Sequence, residues 1–270
     1  MSLRCVYADL DGTLLGKGGS ILRDAEGGFS MMQARALEAC HRAGVEVVIM
    51  SGRREAQVME DARLIGQTSY IYEAGCAVVI DGETTMLTGN GASGEGGTIF
   101  ERIEALGIPQ LLFERLDDPL EYHSPWHSGR QHSHLFRGKV DVGQANRLLE
   151  QEGYGDFRLL DNGAISTTMP DLAVAHAYHL VPKMVGKANA VAAHMRARRY
   201  EPQGCIGIGD SIEDLEVAAA VGRFFVVANG PRRDPGLGEA LSGYDNVTVT
   251  EGSMGDGFYE AVVSTLAQRG

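Results

Sequence analysis

No stretch of this 270-residue chain approaches the roughly 20 consecutive apolar residues that a membrane-crossing helix needs, so no transmembrane segment is expected. The first thirty residues also lack a basic start followed by an apolar core, the pattern of an export signal, and a cytoplasmic protein is the expectation. Basic charge is scarce. Twenty-four Lys and Arg stand against 36 Asp and Glu, and the formal net charge of −12 works against non-specific binding to nucleic acid. A small anionic substrate stays open, because that depends on local charge. The four cysteines, Cys5, Cys40, Cys76 and Cys205, are far apart with no Cys-x-x-Cys pair and read as buried, reduced thiols. No internal repeat is present. Against these absences, 44% hydrophobic and 22% charged residues are ordinary for a globular protein, and the length suits one large domain or two modest ones.

The chemistry concentrates near the start, in Tyr7-Ala8-Asp9-Leu10-Asp11-Gly12-Thr13. Leu3 to Ala8 is short and mostly apolar and reads as a buried strand. If the extended backbone continues, Asp9 and Asp11 point to one side, roughly 6–7 Å apart. Two such carboxylates repel unless a cation lies between them, and oxygen-only ligands suit Mg²⁺. One carboxylate can then attack phosphorus while the other handles the proton. Gly12 permits a sharp turn, and its amide with that of Thr13 can face an anion. An Asp-x-Asp by itself is equally an acidic turn after a strand.

The remaining chain supplies further strand ends of the same kind. A helix over 31–43, closed by Gly44, follows a Gly-rich loop at 16–28 that is able to lie over the site. The strand Val45 to Met50 runs into Ser51-Gly52-Arg53, which the pattern places at the N-terminus of a helix reaching Leu64. There Ser51 and the amides of Gly52 and Arg53 can hold a phosphoryl oxygen. A strand at 69–72 leads through Glu73-Ala74-Gly75 into a hairpin at 77–87, and the glycine-rich run 89–97 marks a hinge. Beyond it, helices at 98–106 and 142–152 and strands at 111–115, 133–137, 157–160 and 177–181 suggest an α+β insert. The α/β rhythm resumes with a helix from Lys187 to Arg199 and a strand from Gly204 to Ile208. That strand meets Gly209-Asp210-Ser211-Ile212-Glu213-Asp214 and a helix to Val221. A strand at 224–228 ends in Asn229-Gly230-Pro231, and a strand at 247–250 and a helix at 257–267 close the chain. Asp210 and Asp214, four apart, share a helix face and can complete a cation site, and Lys187 can supply a fixed positive charge. The expected fold is α/β, a Rossmann-like parallel sheet with helices on both faces, divided as core 1–86, inserted α+β cap 87–182 and core 183–270.

Asp9-x-Asp11-Gly12-Thr13, Ser51-Gly52-Arg53, Lys187 and Gly209-Asp210-x-x-x-Asp214, in that order, resemble the haloacid dehalogenase superfamily. The insert resembles its type IIB cap, found in Cof-type, sucrose-phosphate and mannosyl-phosphoglycerate phosphatases. The resemblance implies Asp9 as a nucleophile forming an aspartyl-phosphate and Asp11 as the acid, then base. It implies Gly12, Thr13, Ser51, Gly52 and Lys187 as holders of the phosphoryl oxygens. Mg²⁺ would lie on Asp9, the carbonyl of Asp11 and Asp210, with Asp214 supporting. The sequence departs from the pattern at Glu213, where many relatives carry Asn, leaving its contact with the metal open, and at Ala74, where an Asn is usual. Asn229 resembles a polar residue near the site.

Selectivity is expected from the cap, where His123, His127, Arg130, His132, His134 and Arg137 crowd around Trp126. Such a cluster can read a carboxylate, a second phosphate or sugar hydroxyls, with Arg130 or Arg137 facing the site when the cap closes and Arg53 as another contact. The function expected is a Mg²⁺-dependent phosphatase of a small phosphorylated metabolite, a sugar phosphate or phosphoglycerate-type ester. A phosphomutase, a non-catalytic phosphometabolite sensor and a receiver-type signalling domain are the alternatives. The receiver reading fails on length and insert. Neither nucleic acid nor membrane is an expected partner, and the chain is expected to be a monomer or homodimer.

Overall fold

The computed structural model describes residues 2–89, 97–165, 169–170 and 172–268. The first half runs β1 (Cys5–Ala8), α1 (Met32–Arg42), β2 (Glu46–Met50), α2 (Glu55–Leu64), β3 (Tyr70–Tyr72), β4 (Ala77–Ile80) and β5 (Glu83–Met86). The middle holds α3 (Ile99–Ala105), α4 (Ile108–Arg115), β6 (Leu120–Tyr122), β7 (His134–Gly138), α5 (Val142–Gln151), β8 (Phe157–Ile165) and β9 (Ala175–Pro182). The last part holds α6 (Lys187–Arg198), β10 (Cys205–Gly209), α7 (Ile212–Leu215), β11 (Arg223–Val226), α8 (Asn229–Arg233), α9 (Pro235–Ala240), β12 (Val247–Val249) and α10 (Met254–Ala267).

Two sheets result among the described residues. The larger has the order β12-β11-β10-β1-β2-β3-β4-β5, parallel from β12 to β3 and antiparallel beyond. Side chains alternate across it because successive residues of a strand face opposite sides. Val6 and Ala8 lie with Val47 and Ile49 beneath Ala36 and Cys40 of α1, Val58 and Ala62 of α2, and Phe258, Ala261 and Val262 of α10. Cys5 and Tyr7 face the other way, with Val48 and Met50, against Ala190, Val191 and Met195 of α6, Leu215 of α7 and Leu237 of α9. Both faces are thus covered, which is why these strands read as continuous apolar runs. The second sheet, β6-β7-β9-β8, is antiparallel and packs on α3, α4 and α5 through Ile103, Leu112, Phe136, Leu149 and Tyr178. It falls within 120–182, and residues on both sides of it build the larger sheet.

This is the α/β arrangement with an α+β insert that the sequence pattern predicts, with local differences. Residues 111–115, expected as a strand, belong to α4. Pro109 sits in its first turn, and Ile108, Leu112 and Leu116, four residues apart, bury one helical face. The helix expected to reach Val221 is one α-turn, α7, continued by a 3-10 turn at 216–219. Residues 16–28 form a turn bonded to itself, with three amides on Asp24 Oδ1, and tied to α1 through Gln33. Of the expected hinge, 90–96 lie outside the described residues.

Candidate active site

Strands β10, β1 and β2 end level with one another, Ala8 opposite both Ile208 and Ile49, so Asp210, Asp9 and Ser51 leave the sheet along one edge. This is the switch point of the parallel sheet, with β1 between β10 and β2, the position at which such sheets place a ligand beyond their strand ends. The Asp9 amide is fixed by the Ile208 carbonyl at 3.0 Å. Lys187, at the start of α6, brings its ammonium to Asp9 Oδ1 at 2.9 Å and Asp214 Oδ1 at 2.6 Å, with Glu213 Oε2 at 3.9 Å. All four side chains are buried.

Asp214 is fully used. Its second oxygen accepts from the amides of Asp210 and Ser211 and from the Ser211 hydroxyl, closing a capping box at α7. It therefore shapes the loop that presents Asp210. Asp210 Oδ2 accepts from Arg233 at 3.0 Å and Asn229 at 3.2 Å. Asn229 also donates to the Gly12 carbonyl at 2.9 Å and accepts the Met254 amide at 2.7 Å, so one side chain stitches three loops together. It is the first residue of α8. Gly12 has a φ of +89°, and a Cβ there would lie 2.3 Å from Asp210 Oδ2, so no other residue fits that approach.

Charge is out of balance. Burial pushes Asp9 well above the usual carboxylate range, Lys187 opposes it, and Asp214, Asp210 and Asp11 add to it. Burial likewise raises Asp210 to about 7, against Arg233 and with Asp214, and Glu213 to about 8 against Lys187. Lys187 is held above its ordinary value, since Asp214, Asp9 and Glu213 outweigh its own desolvation. Carboxylate oxygens of Asp9, Asp210 and Asp214 lie within 4.8 Å of one another. An oxygen-only set with surplus negative charge is the setting for a hard divalent cation, and Asp9 and Asp210 could hold one, with Asp214 bracing the loop beside them. Both Glu213 oxygens lack a hydrogen bond but lie buried beside Lys187.

The other predicted residues divide. Thr13 is buried with its hydroxyl unpartnered. Ser51 is buried too, but it is not at a helix N-terminus. Its carbonyl and that of Arg53 accept the amides of Ala74 and Glu73, which diverts the chain from helix until Glu55, and Ser51 Oγ accepts the Arg53 amide. Asp11 is exposed, with both oxygens gripped by Arg53 at 2.6 and 2.7 Å, while Asp61 holds the guanidinium from behind at 2.9 Å. Arg130 reaches the core and donates to the Gly52 carbonyl at 2.9 Å. Arg137 does not follow it. It pairs with Glu121 on the neighbouring strand β6.

Four contributors escaped the sequence reading. Glu73 is buried and accepts from the amides of Gln131 and His132 and from Ser133, tying the loop before β7 to the core. Arg233 follows Asn229 by one helical turn, a signal readable only once α8 is known. His179 of β9 and Asn162 of β8 stand over Gly52: a Cβ there would lie 2.5 Å from His179 Nε2 and 3.4 Å from Asn162 Nδ2. No sequence spacing links these two to Gly52. Of the cap histidines, His134 stacks on Phe100 and bonds its carbonyl, and His127 stacks on Tyr122, both local packing.

No protein-family profile matches the chain. It is 25% identical over 269 residues to a phosphoglycolate phosphatase of Methanoculleus marisnigri, covering 96% of this chain and 95% of that protein. Among solved structures it is similar to the sucrose-phosphatase of Synechocystis in complex with sucrose and phosphate, with TM-score 0.68, 15% identity and 98% of each chain covered. It is also similar to a phosphatase of the haloalkanoate (HAD) enzyme superfamily from Bacteroides thetaiotaomicron, with TM-score 0.63 and 14% identity over 98% of this chain and 95% of that one. The chain thus shares the fold of solved phosphatases of the haloalkanoate (HAD) superfamily, and the relatives it matches end to end are phosphoglycolate phosphatases.

Proposed function

We propose that the protein is a Mg²⁺-dependent phosphatase that hydrolyses a small phosphorylated metabolite, a sugar phosphate or phosphoglycerate-type ester, through an aspartyl-phosphate on Asp9. The observation that carries this reading is the buried group of Asp9, Lys187, Asp210 and Asp214 at the sheet edge, beside the unpartnered Thr13 hydroxyl. Residues 87–182 serve as the cap over this edge.

The phosphoryl group sits between Asp9 and the Ser51–Gly52 turn. Thr13 Oγ1, the Gly52 amide and Lys187 point donors at its oxygens, where charge develops in the transition state. Asp9 and Asp210, with the Asp11 carbonyl, would hold Mg²⁺, which would supply the remaining neutralisation of charge. An Asp9 oxygen attacks phosphorus, the bond to the leaving oxygen breaks, and Asp11 gives that oxygen a proton. Asp11 then takes a proton from water, whose oxygen attacks the same phosphorus and releases Asp9 and inorganic phosphate. For either transfer Asp11 must leave Arg53, which stays anchored on Asp61. Phosphate release from a panel of phosphorylated metabolites with Mg²⁺, without a bisphosphate activator, tests hydrolysis and separates it from a mutase. Asp9→Asn is expected to abolish turnover of an aryl phosphate, and retained activity sinks the covalent mechanism.

A further inference from the structure

At the amino end of the parallel sheet, away from the active site, another set of side chains able to hold a metal converges among the described residues. Cys5 opens β1 and Glu46 opens β2. The two stand opposite each other in register, so both point to the face of the sheet that α6 covers. His194 comes down onto them from α6. The Cys5 sulfur, a Glu46 carboxylate oxygen and a His194 ring nitrogen lie within 4.8 Å of one another. His194 is 0% exposed and its Nε2 makes no hydrogen bond, with Glu46 Oε1 3.5 Å away. An interior nitrogen without a partner is costly, and a metal ion is a partner that a neutral imidazole takes.

We propose that Cys5, Glu46 and His194 form a Zn²⁺-binding site that ties β1 and β2 to α6. Three such ligands with water in the fourth position are a set zinc accepts. Thiolate and imidazole select zinc over the Mg²⁺ that suits the all-oxygen cluster at the other end of the sheet.

The groups behind the three ligands are those a metal site uses to orient them. A ligating imidazole has its other nitrogen hydrogen-bonded, and a ligating carboxylate is held from outside as well. Here the Tyr7 hydroxyl sits 2.8 Å from His194 Nδ1, which directs Nε2 at Cys5 and Glu46. Glu46 Oε1 accepts from Ser69 at 2.8 Å and Arg198 at 3.1 Å, and Oε2 accepts from Tyr200 at 3.0 Å. A carboxylate has about four acceptor sites, so one is left for an ion. Burial, with the Glu46 carboxylate adding to it, holds the Cys5 thiol well above its ordinary value, so a bound cation is what makes it a thiolate there. Binding breaks the S–H bond, the sulfur electron pair going to zinc and the proton to solvent. A surface cavity of about 260 Å³, lined in part by Arg4, Arg198, Tyr200 and Gly204, adjoins the site: Arg4 precedes Cys5, and Arg198 and Tyr200 both hold Glu46. It admits water and the ion. Lys187 of the active site opens the same helix, so the ion would hold α6 at the end away from that lysine.

The test titrates Co²⁺, a spectroscopic substitute for zinc, into the full chain freed of metal and kept reduced by a non-chelating phosphine. Cobalt on the carboxylates of the active site gives no sulfur band, whereas cobalt on Cys5 gives a thiolate-to-metal charge-transfer band in the near ultraviolet. The band is expected to saturate at about one ion per chain and to be bleached by Zn²⁺ but not by Mg²⁺. Cys5→Ser, folded by circular dichroism, is expected to lose the band and His194→Gln to weaken Zn²⁺ binding by roughly a hundredfold. Tyr7→Phe removes only the group behind His194 and is expected to weaken it by roughly tenfold. A wild-type chain that shows no thiolate band overturns the site whatever the variants do. So does a band that persists in folded Cys5→Ser, or Zn²⁺ affinity unchanged in folded His194→Gln.

Discussion

Glu73→Ala removes the carboxylate that ties the loop before β7 to the core. The side chain is 2% exposed and takes three donors: the Gln131 amide at 3.1 Å, the His132 amide at 3.0 Å and the Ser133 hydroxyl at 2.7 Å. Ser133 passes the link on to Arg130, whose Nη1 holds Ser133 Oγ at 3.1 Å and the Gly52 carbonyl at 2.9 Å. A hydrogen bond to a charged group contributes roughly 1.5–3 kcal/mol, but the loop can reach water once it lifts, which caps the loss. The docked loop is expected to weaken by about 3 kcal/mol, roughly a hundredfold in its local opening equilibrium. The global fold keeps its own cores, so the melting temperature is expected to move little. Amide hydrogen exchange over 123–138 reads the effect directly, with Gln131 and His132 exchanging about 100 times faster and kcat/KM falling along with docking. Glu73→Gln keeps one acceptor oxygen and is expected to fall between. If exchange at 131–133 is unchanged in folded Glu73→Ala, the carboxylate does not hold this loop.

Lys187→Met strands Asp9, Asp214 and Glu213 in the interior. A loss of about 3–5 kcal/mol is expected in metal-free thermal melts, with Mg²⁺ restoring part of it. Asp210 titrates near 7, above its unfolded value near 3.8, so the folded state binds the extra proton. Metal-free stability should therefore fall as pH rises from about 4 to 7, and melts in EDTA at pH 5 and 8 should show it, with Mg²⁺ protecting more at the higher pH. Glu46 behaves oppositely: desolvation raises it, but the His194 imidazole 3.5 Å away and hydrogen bonds from Ser69 and Tyr200 outweigh that and hold it at about 2. Its contribution is full above about pH 4.5 and disappears as pH falls toward 2, on the order of 2 kcal/mol after discounting for partial exposure. Acid titration of Glu46→Gln should lack that loss.

The sequence by itself determined the sheet and most of its edge. β1, β2 and β10 are buried on both faces, so composition alone marks them, and the residues that follow each strand carry the acidic and Ser-Gly signals within a few positions. Asp9, Thr13 and Ser51 were legible because strand ends in a parallel sheet converge whatever lies between them, and Lys187 because it opens the helix that packs beside them. Residues 111–115 misled because a short apolar run fits either period, and Pro109 settled it for helix. Only the tertiary structure decided that Asp214 shapes a loop, that Arg53 holds Asp11, and that Arg130 and not Arg137 reaches the core. It also brought Asn162 and His179 over Gly52, and Glu73 under the loop that carries Arg130. Contacts between sheets depend on how two separately folded surfaces meet. No local period records that meeting, so the cluster at the sheet edge is written in the sequence and the residues brought over it are not.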